Sequence, residues 1–154
     1  MPDGTGVELF ALSAGPIEAR IITYGATLVS ITIPDWDGRS EDVVLGYDRL
    51  DQYAANSNGK NAAFIGATIG RYANRIAHGT FTLTLNGKRY SLPTNNSENS
   101  LHGGLHNVVW SAKSIENGIE FTYFSNWWQR SEFCATQGRI QSQLETVGMI
   151  GESA

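Results

Sequence analysis

The chain has 154 residues, 41% hydrophobic and 17% charged, with a formal net charge of −4. That balance suits one packed domain, excludes a disordered chain, and offers no basic stripe of the kind nucleic acid requires. The single cysteine, Cys134, excludes an internal disulfide framework and reads as a small buried hydrophobe, while no apolar run approaches the roughly 18 residues of a membrane span.

Residues 17–23 (IEARIIT) alternate apolar and polar side chains, the mark of a half-buried strand, and Gly25-Ala26 break it. Residues 27–33 (TLVSITI) alternate again, with Leu28, Ser30 and Thr32 on one face and Thr27, Val29, Ile31 and Ile33 on the other. The stretch 34–38 (PDWDG) is a turn with Asp37-Gly38 as its hairpin signal, and 42–45 (DVVL) is another short strand. Only 49–55 (RLDQYAA) resembles a helical turn. The clearest hairpin is 80–85 (TFTLTL), then Asn86-Gly87, then 88–92 (KRYSL), because Asn-Gly supplies the two positive φ angles of a type I′ turn. Residues 111–115 and 119–124, split by Asn117-Gly118, form a second hairpin. Many short strands punctuated by glycine predict an all-β sandwich or barrel.

From residue 126 the texture changes. The segment 126–154 holds Trp127, Trp128 and Cys134 and shows neither strand alternation nor a clean helical stripe. It reads as a divergent, poorly ordered tail behind a domain of residues 1–125; the plainer alternative is a loop and a short helix at 141–147. The polar start, residues 1–6, lacks the basic-then-apolar pattern of a secretory signal, so the expectation is a soluble, cytoplasmic protein.

Two segments hold polar residues that strand patterning does not explain. In 65–80 (IGATIGRYANRIAHGT), Arg71, Asn74 and Arg75 interleave with Ile65, Ile69 and Ile76. The segment reads equally as a loop with solvated arginines or as a half-buried site whose arginines need an acceptor, from protein or ligand. In 95–104 (NNSENSLHGG), glycines behind His102 let the backbone approach a ligand closely, and histidine exchanges protons near neutrality. A turn-capping histidine explains the same string. No His/Cys/Asp spacing suggests a metal site, and Gly66 to Gly70 is no phosphate loop, since no Lys-Ser/Thr follows.

The motifs Tyr24-Gly25-Ala26-Thr27-Leu28, Ser30-Ile31 and Pro34 resemble the early strands of aldose 1-epimerases, the sugar mutarotases. So do Asp42-Val43-Val44-Leu45-Gly46-Tyr47, Gly70-Arg71-Tyr72-Ala73-Asn74-Arg75-Ile76, and Phe81. Leu85-Asn86-Gly87-Lys88-Arg89-Tyr90-Ser91-Leu92, Asn99-Ser100-Leu101-His102-Gly103-Gly104 and Trp110 follow in the family's order and at its approximate spacing. Any one is weak; together they are specific and cover most of residues 7–125. The resemblance implies the N-terminal part of a galactose-mutarotase-like β-sandwich (a supersandwich), cut short. It implies a sugar site in an open cleft, interconversion of the α and β anomers of free aldoses such as galactose and glucose, and neither metal nor cofactor. Asn74, Arg75 and His102 fall on its sugar-contacting positions; Arg71, in the same motif, is a weaker site candidate.

Ring opening needs a base for the anomeric hydroxyl proton and an acid for the ring oxygen. The resemblance places a second His as acid, a sugar-binding Asp and a Glu as base later in the family's chain, and no match to them is identifiable in 126–154. No catalytic residue is therefore assigned. Leu105-His106-Asn107-Val108-Val109 also replaces a Gly-Phe-Asp-Lys-like stretch of the family, and His106 reads as a loop residue. The expectation is a mutarotase-family chain with little or no activity of its own and an aldohexose as partner, but no nucleic acid or membrane. The alternatives are an inactive sugar-binding or regulatory fragment, or the non-functional product of an aberrant transcript.

Overall fold

The computed structural model describes residues 1, 4–57, 62–85, 87–125 and 138–145. A meander opens the fold: β1 (Leu9–Ala14), β2 (Ile17–Ile22), β3 (Thr27–Pro34) and β4 (Ser40–Asp42) form an antiparallel sheet in chain order. β1 and β2 pair from Leu9↔Ile22 to Ala14↔Ile17, and the β2–β3 register shifts between Arg20 and Ile21. The expected strand at 42–45 ends where it was to begin. The Asp42 carboxylate accepts the N–H groups of Ile31 and Val44, both at 3.0 Å, and turns the chain off the sheet. Val43 and Leu45 are left exposed.

The predicted helical turn is α1 (Leu50–Asn56), capped where Gln52 accepts the Arg49 N–H at 3.0 Å. Two short ladders follow, β5 (Arg75–Ile76) with β8 (Ser100–Leu101) and β6 (Thr80–Thr82) with β7 (Arg89–Ser91). The β6–β7 hairpin is shorter than its alternation suggests. The Leu83 carbonyl accepts from Gly87 N–H at 2.9 Å, so a wider loop replaces the expected two-residue turn, and Leu85 projects fully into solvent. Asn86 lies outside the described residues.

β9 (Ser111–Ile115) and β10 (Gly118–Ser125) make the second predicted hairpin. Its register pairs Ile115 with Gly118, so the turn is Glu116-Asn117, with Asn117 at φ 59°, one residue earlier than predicted. On the other side of β10 lies β11 (Gly138–Glu145), paired from Gly118↔Glu145 to Ser125↔Gly138. This corrects the expectation of a tail without strands and the alternative of a helix at 141–147. Residues 139–145 (RIQSQLE) do alternate, but glutamine and serine mute the signal, and the open hydrogen-bonding edge of β10 supplies the partner that a single sequence does not display. Cys134, Trp127 and Trp128 lie outside the described residues.

The core sits between the β1–β4 sheet and the β9–β11 sheet. Ile21, Ala26, Leu105, Trp110, Ile119 and Phe121 are buried together, with Phe10, Leu12, Leu28 and Tyr123 packed against them. Phe10 meets Phe121 edge-on, with centroids 6.2 Å apart. A second cluster, Ile22, Tyr24 and Tyr53, buries one face of α1 on the far side of the first sheet.

Candidate functional site

The two segments singled out by sequence meet through the β5–β8 ladder, which pairs Arg75 with Leu101 and Ile76 with Ser100. Just before it, Asn74 and His102 are joined twice. The His102 N–H donates to the Asn74 carbonyl at 3.0 Å, and the Asn74 N–H donates to His102 Nδ1 at 3.0 Å. Both residues occupy left-handed backbone, at φ 62° and 53°. The second bond fixes the imidazole: with Nδ1 an acceptor, the neutral ring carries its proton on Nε2, which is left to donate.

Arg75 is held by amides. Its Nε–H donates to Asn96 Oδ1 at 2.8 Å and its Nη1 to Asn74 Oδ1 at 3.2 Å. Arg71 is half-buried and donates from Nη1 to the Gly103 carbonyl at 3.1 Å. It lines a small cleft with Tyr72, Leu92, Pro93, Asn95, Ser100, His102 and Gly103, and none of these lining residues is an Asp or Glu.

The supporting contacts are close. Gly103 lies against the Gly70–Arg71 peptide so tightly that an added Cβ would overlap Arg71 N and the Gly70 carbonyl. Gly70 is needed on the other side, where a Cβ would meet Leu105 Cδ1 at 2.6 Å. Asn95 clasps β8 by accepting the Leu101 N–H at 2.6 Å and donating to the Leu101 carbonyl at 2.8 Å. Tyr72 and Ser100 join their hydroxyls at 2.6 Å.

Phe64 meets His102 edge-on at 4.8 Å and His106 at 4.5 Å. His106 lies on the 3₁₀ turn Leu105–Asn107 in the connection between β8 and β9, and at 3% exposure its side chain is packed inside. Burial, and then the nearby Arg75 charge, hold the His102 imidazole below its ordinary pKa. His102 is therefore neutral at pH 7.

The structure thus brings Asn74, Arg75 and His102 into one cluster, with Arg71 on the adjoining wall. Phe64 and Asn96 were missed by sequence reasoning, and no local signal marks either. Among the described residues no group of His, Cys, Asp and Glu could hold a metal ion, and no helix is long and apolar enough to cross a membrane.

Known proteins give this cluster a context. The family profile of aldose 1-epimerase matches residues 8–134. The chain belongs to the aldose 1-epimerase family. Galactose mutarotase of Bos taurus is 43% identical over 129 residues, covering 81% of this chain and 36% of the bovine protein. Aldose 1-epimerase of Escherichia coli is 39% identical over 105 residues, covering 67% of this chain and 28% of its own length. Among solved structures, the GalM/aldose epimerase homologue from C. elegans superposes with a TM-score of 0.70 at 29% identity, covering 90% of this chain and 41% of that chain. The chain therefore spans little more than a third of the curated mutarotases it matches. The family match extends past the expected boundary at 125, to residue 134.

Proposed function

We propose that the cluster of Asn74, Arg75 and His102 is an aldose-binding site, and that the intact relatives of this chain use it to interconvert the α and β anomers of galactose and glucose. The observation that carries this reading is the pair of hydrogen bonds between Asn74 and His102, which sets a neutral histidine with a free-to-donate Nε2–H beside a guanidinium. A sugar ring presents oxygen acceptors, and ring opening puts charge on the anomeric oxygen and calls for a proton at the ring oxygen. An Nε2–H and the Arg75 N–H groups suit both demands, and the Arg charge strengthens the hydrogen bonds it makes.

Donors alone do not complete the reaction. A base must take the anomeric hydroxyl proton, and none of Arg71, Asn74, Arg75 and His102 is a carboxylate. The resemblance puts the acid His, the sugar-binding Asp and the base Glu in later strands of the family. We therefore read this chain as a partial site, in which residues 1–125 supply the first sugar contacts and the segment from 126 contributes no identified catalytic group. The test is polarimetry of freshly dissolved α-D-galactose. A full-length relative accelerates mutarotation over buffer, and the 154-residue chain adds little or nothing. No acceleration by the full-length protein sinks the family reading; near-complete activity from this chain sinks the partial-site reading.

A further inference from the structure

Arg75 sits in the proposed site with an exposed side chain, and an exposed arginine loses much rotamer freedom when a ligand fixes it. Here the freedom is already restricted. Asn96 takes the Nε–H at 2.8 Å and Asn74 the Nη1 at 3.2 Å, which leaves three of the five guanidinium N–H groups for a ligand.

The position of Asn96 is itself determined. Asn96 and Asn99 exchange both backbone bonds, at 3.1 and 3.0 Å, across a tight turn in which Ser97 adopts φ 55°. Next to it, the Asn95 side chain ties the same turn to Leu101, the residue paired with Arg75. The backbone of Asn96 thus closes the turn, while its carboxamide oxygen is spent on the arginine. The choice of an amide matters. A carboxylate at the same place would hold the guanidinium more strongly but would neutralise its charge.

We propose that Asn96 is a positioning residue for sugar binding: its side-chain oxygen pre-orients Arg75 and leaves the cation unneutralised for the sugar oxygens. The inference rests on the aldose-site reading above. It makes the turn 95–99 a part of the site, although Asn96 itself need not touch the sugar.

Two variants, Asn96→Ala and Asn96→Asp, test this in the 154-residue chain with two readouts, the ¹H–¹⁵N signal of Arg75 Nε–H and D-galactose titration followed by amide shifts. In Asn96→Ala the Nε–H should exchange faster with water, and galactose affinity should fall roughly 3- to 10-fold, the range expected for one lost hydrogen bond. Asn96→Asp should keep the Nε–H protected and still weaken galactose, because the charge is quenched. A residue that only closes the turn would give a parent-like Asp variant, and that result overturns the proposal. In an Arg75→Lys background, Asn96→Ala should cost nothing further; an undiminished loss there also overturns it. If Asn96→Ala does not fold, the Asp variant carries the test, since aspartate suits the turn equally well. If the parent chain binds no galactose, the aldose-site reading falls, and the Arg75 signal then decides by itself whether Asn96 orients the guanidinium.

Discussion

His102 keeps a proton on Nε2 because the Asn74 N–H occupies Nδ1, and two causes hold its pKa down: burial first, then the Arg75 cation. The two causes separate by mutation. In Arg75→Ala the His102 titration midpoint should rise but remain below the ordinary value of 6.5, because burial persists. An NMR titration of the imidazole signals reads this directly, and an unchanged midpoint would mean that Arg75 does not act on the ring. The same shift has a consequence for stability. The unfolded chain takes up this proton near 6.5, the folded chain only at lower pH. Between the two values the unfolded state binds more protons, so His102 destabilises the fold as pH falls below about 6.5 and has no effect above it. Replacing His102 with a residue that does not titrate should flatten that part of the pH–stability profile.

At the scale of elements, the site depends on how closely 70–71 and 103 approach. Gly103→Ala should destabilise the fold by about 3 kcal/mol, the upper range of overpacking costs, since the added methyl would overlap backbone and no flexible side chain can yield. Urea denaturation measures it, and a parent-like midpoint would show that the two segments are not apposed. Phe121→Ala, in the centre of the β10 strand and fully buried, should cost about 3–5 kcal/mol. It should do so without a specific effect on the Arg75 Nε–H signal, because Phe121 packs in the sandwich core, away from the β5–β8 ladder. The pairing of β11 with β10 makes a separate prediction. Amides that hydrogen-bond across the two strands should exchange slowly with solvent; exchange at unstructured rates throughout 138–145 would mean that β10 has no partner on that side.

For the whole molecule, the decisive proportion is coverage. The chain aligns with 36% of bovine galactose mutarotase, and Trp36, Leu45, Leu85, Leu9 and Phe124 are exposed. Apolar side chains in water and open strand edges favour association. Light scattering should show molecular mass rising with concentration, and a strictly monomeric chain at high concentration would contradict this. We expect the mutarotation assay and the scattering assay to agree, with weak aldose binding, little or no turnover and self-association.

Local alternation marked β2 and β3, because successive side chains of a strand point to opposite faces, and the turn residues around Asn117-Gly118 marked the β9–β10 hairpin. The ordered motifs determined the family, and they marked Asn74, Arg75 and His102 from two segments with no sequence-local link. The end of β4 depended on tertiary structure, because the Asp42 carboxylate finds the Ile31 N–H on the neighbouring strand; the β6–β7 hairpin is shortened by a local bond, Gly87 N–H to the Leu83 carbonyl, that alternation does not specify. β11 depended on it too, since a muted alternation becomes a strand only when a neighbouring edge needs a partner. The same holds at the site. Only the fold sets Asn96 on Arg75 and Phe64 against His102, because those contacts span 21 and 38 residues and arise from how the turn 95–99 and the loop around residue 64 come to rest against the β5–β8 ladder.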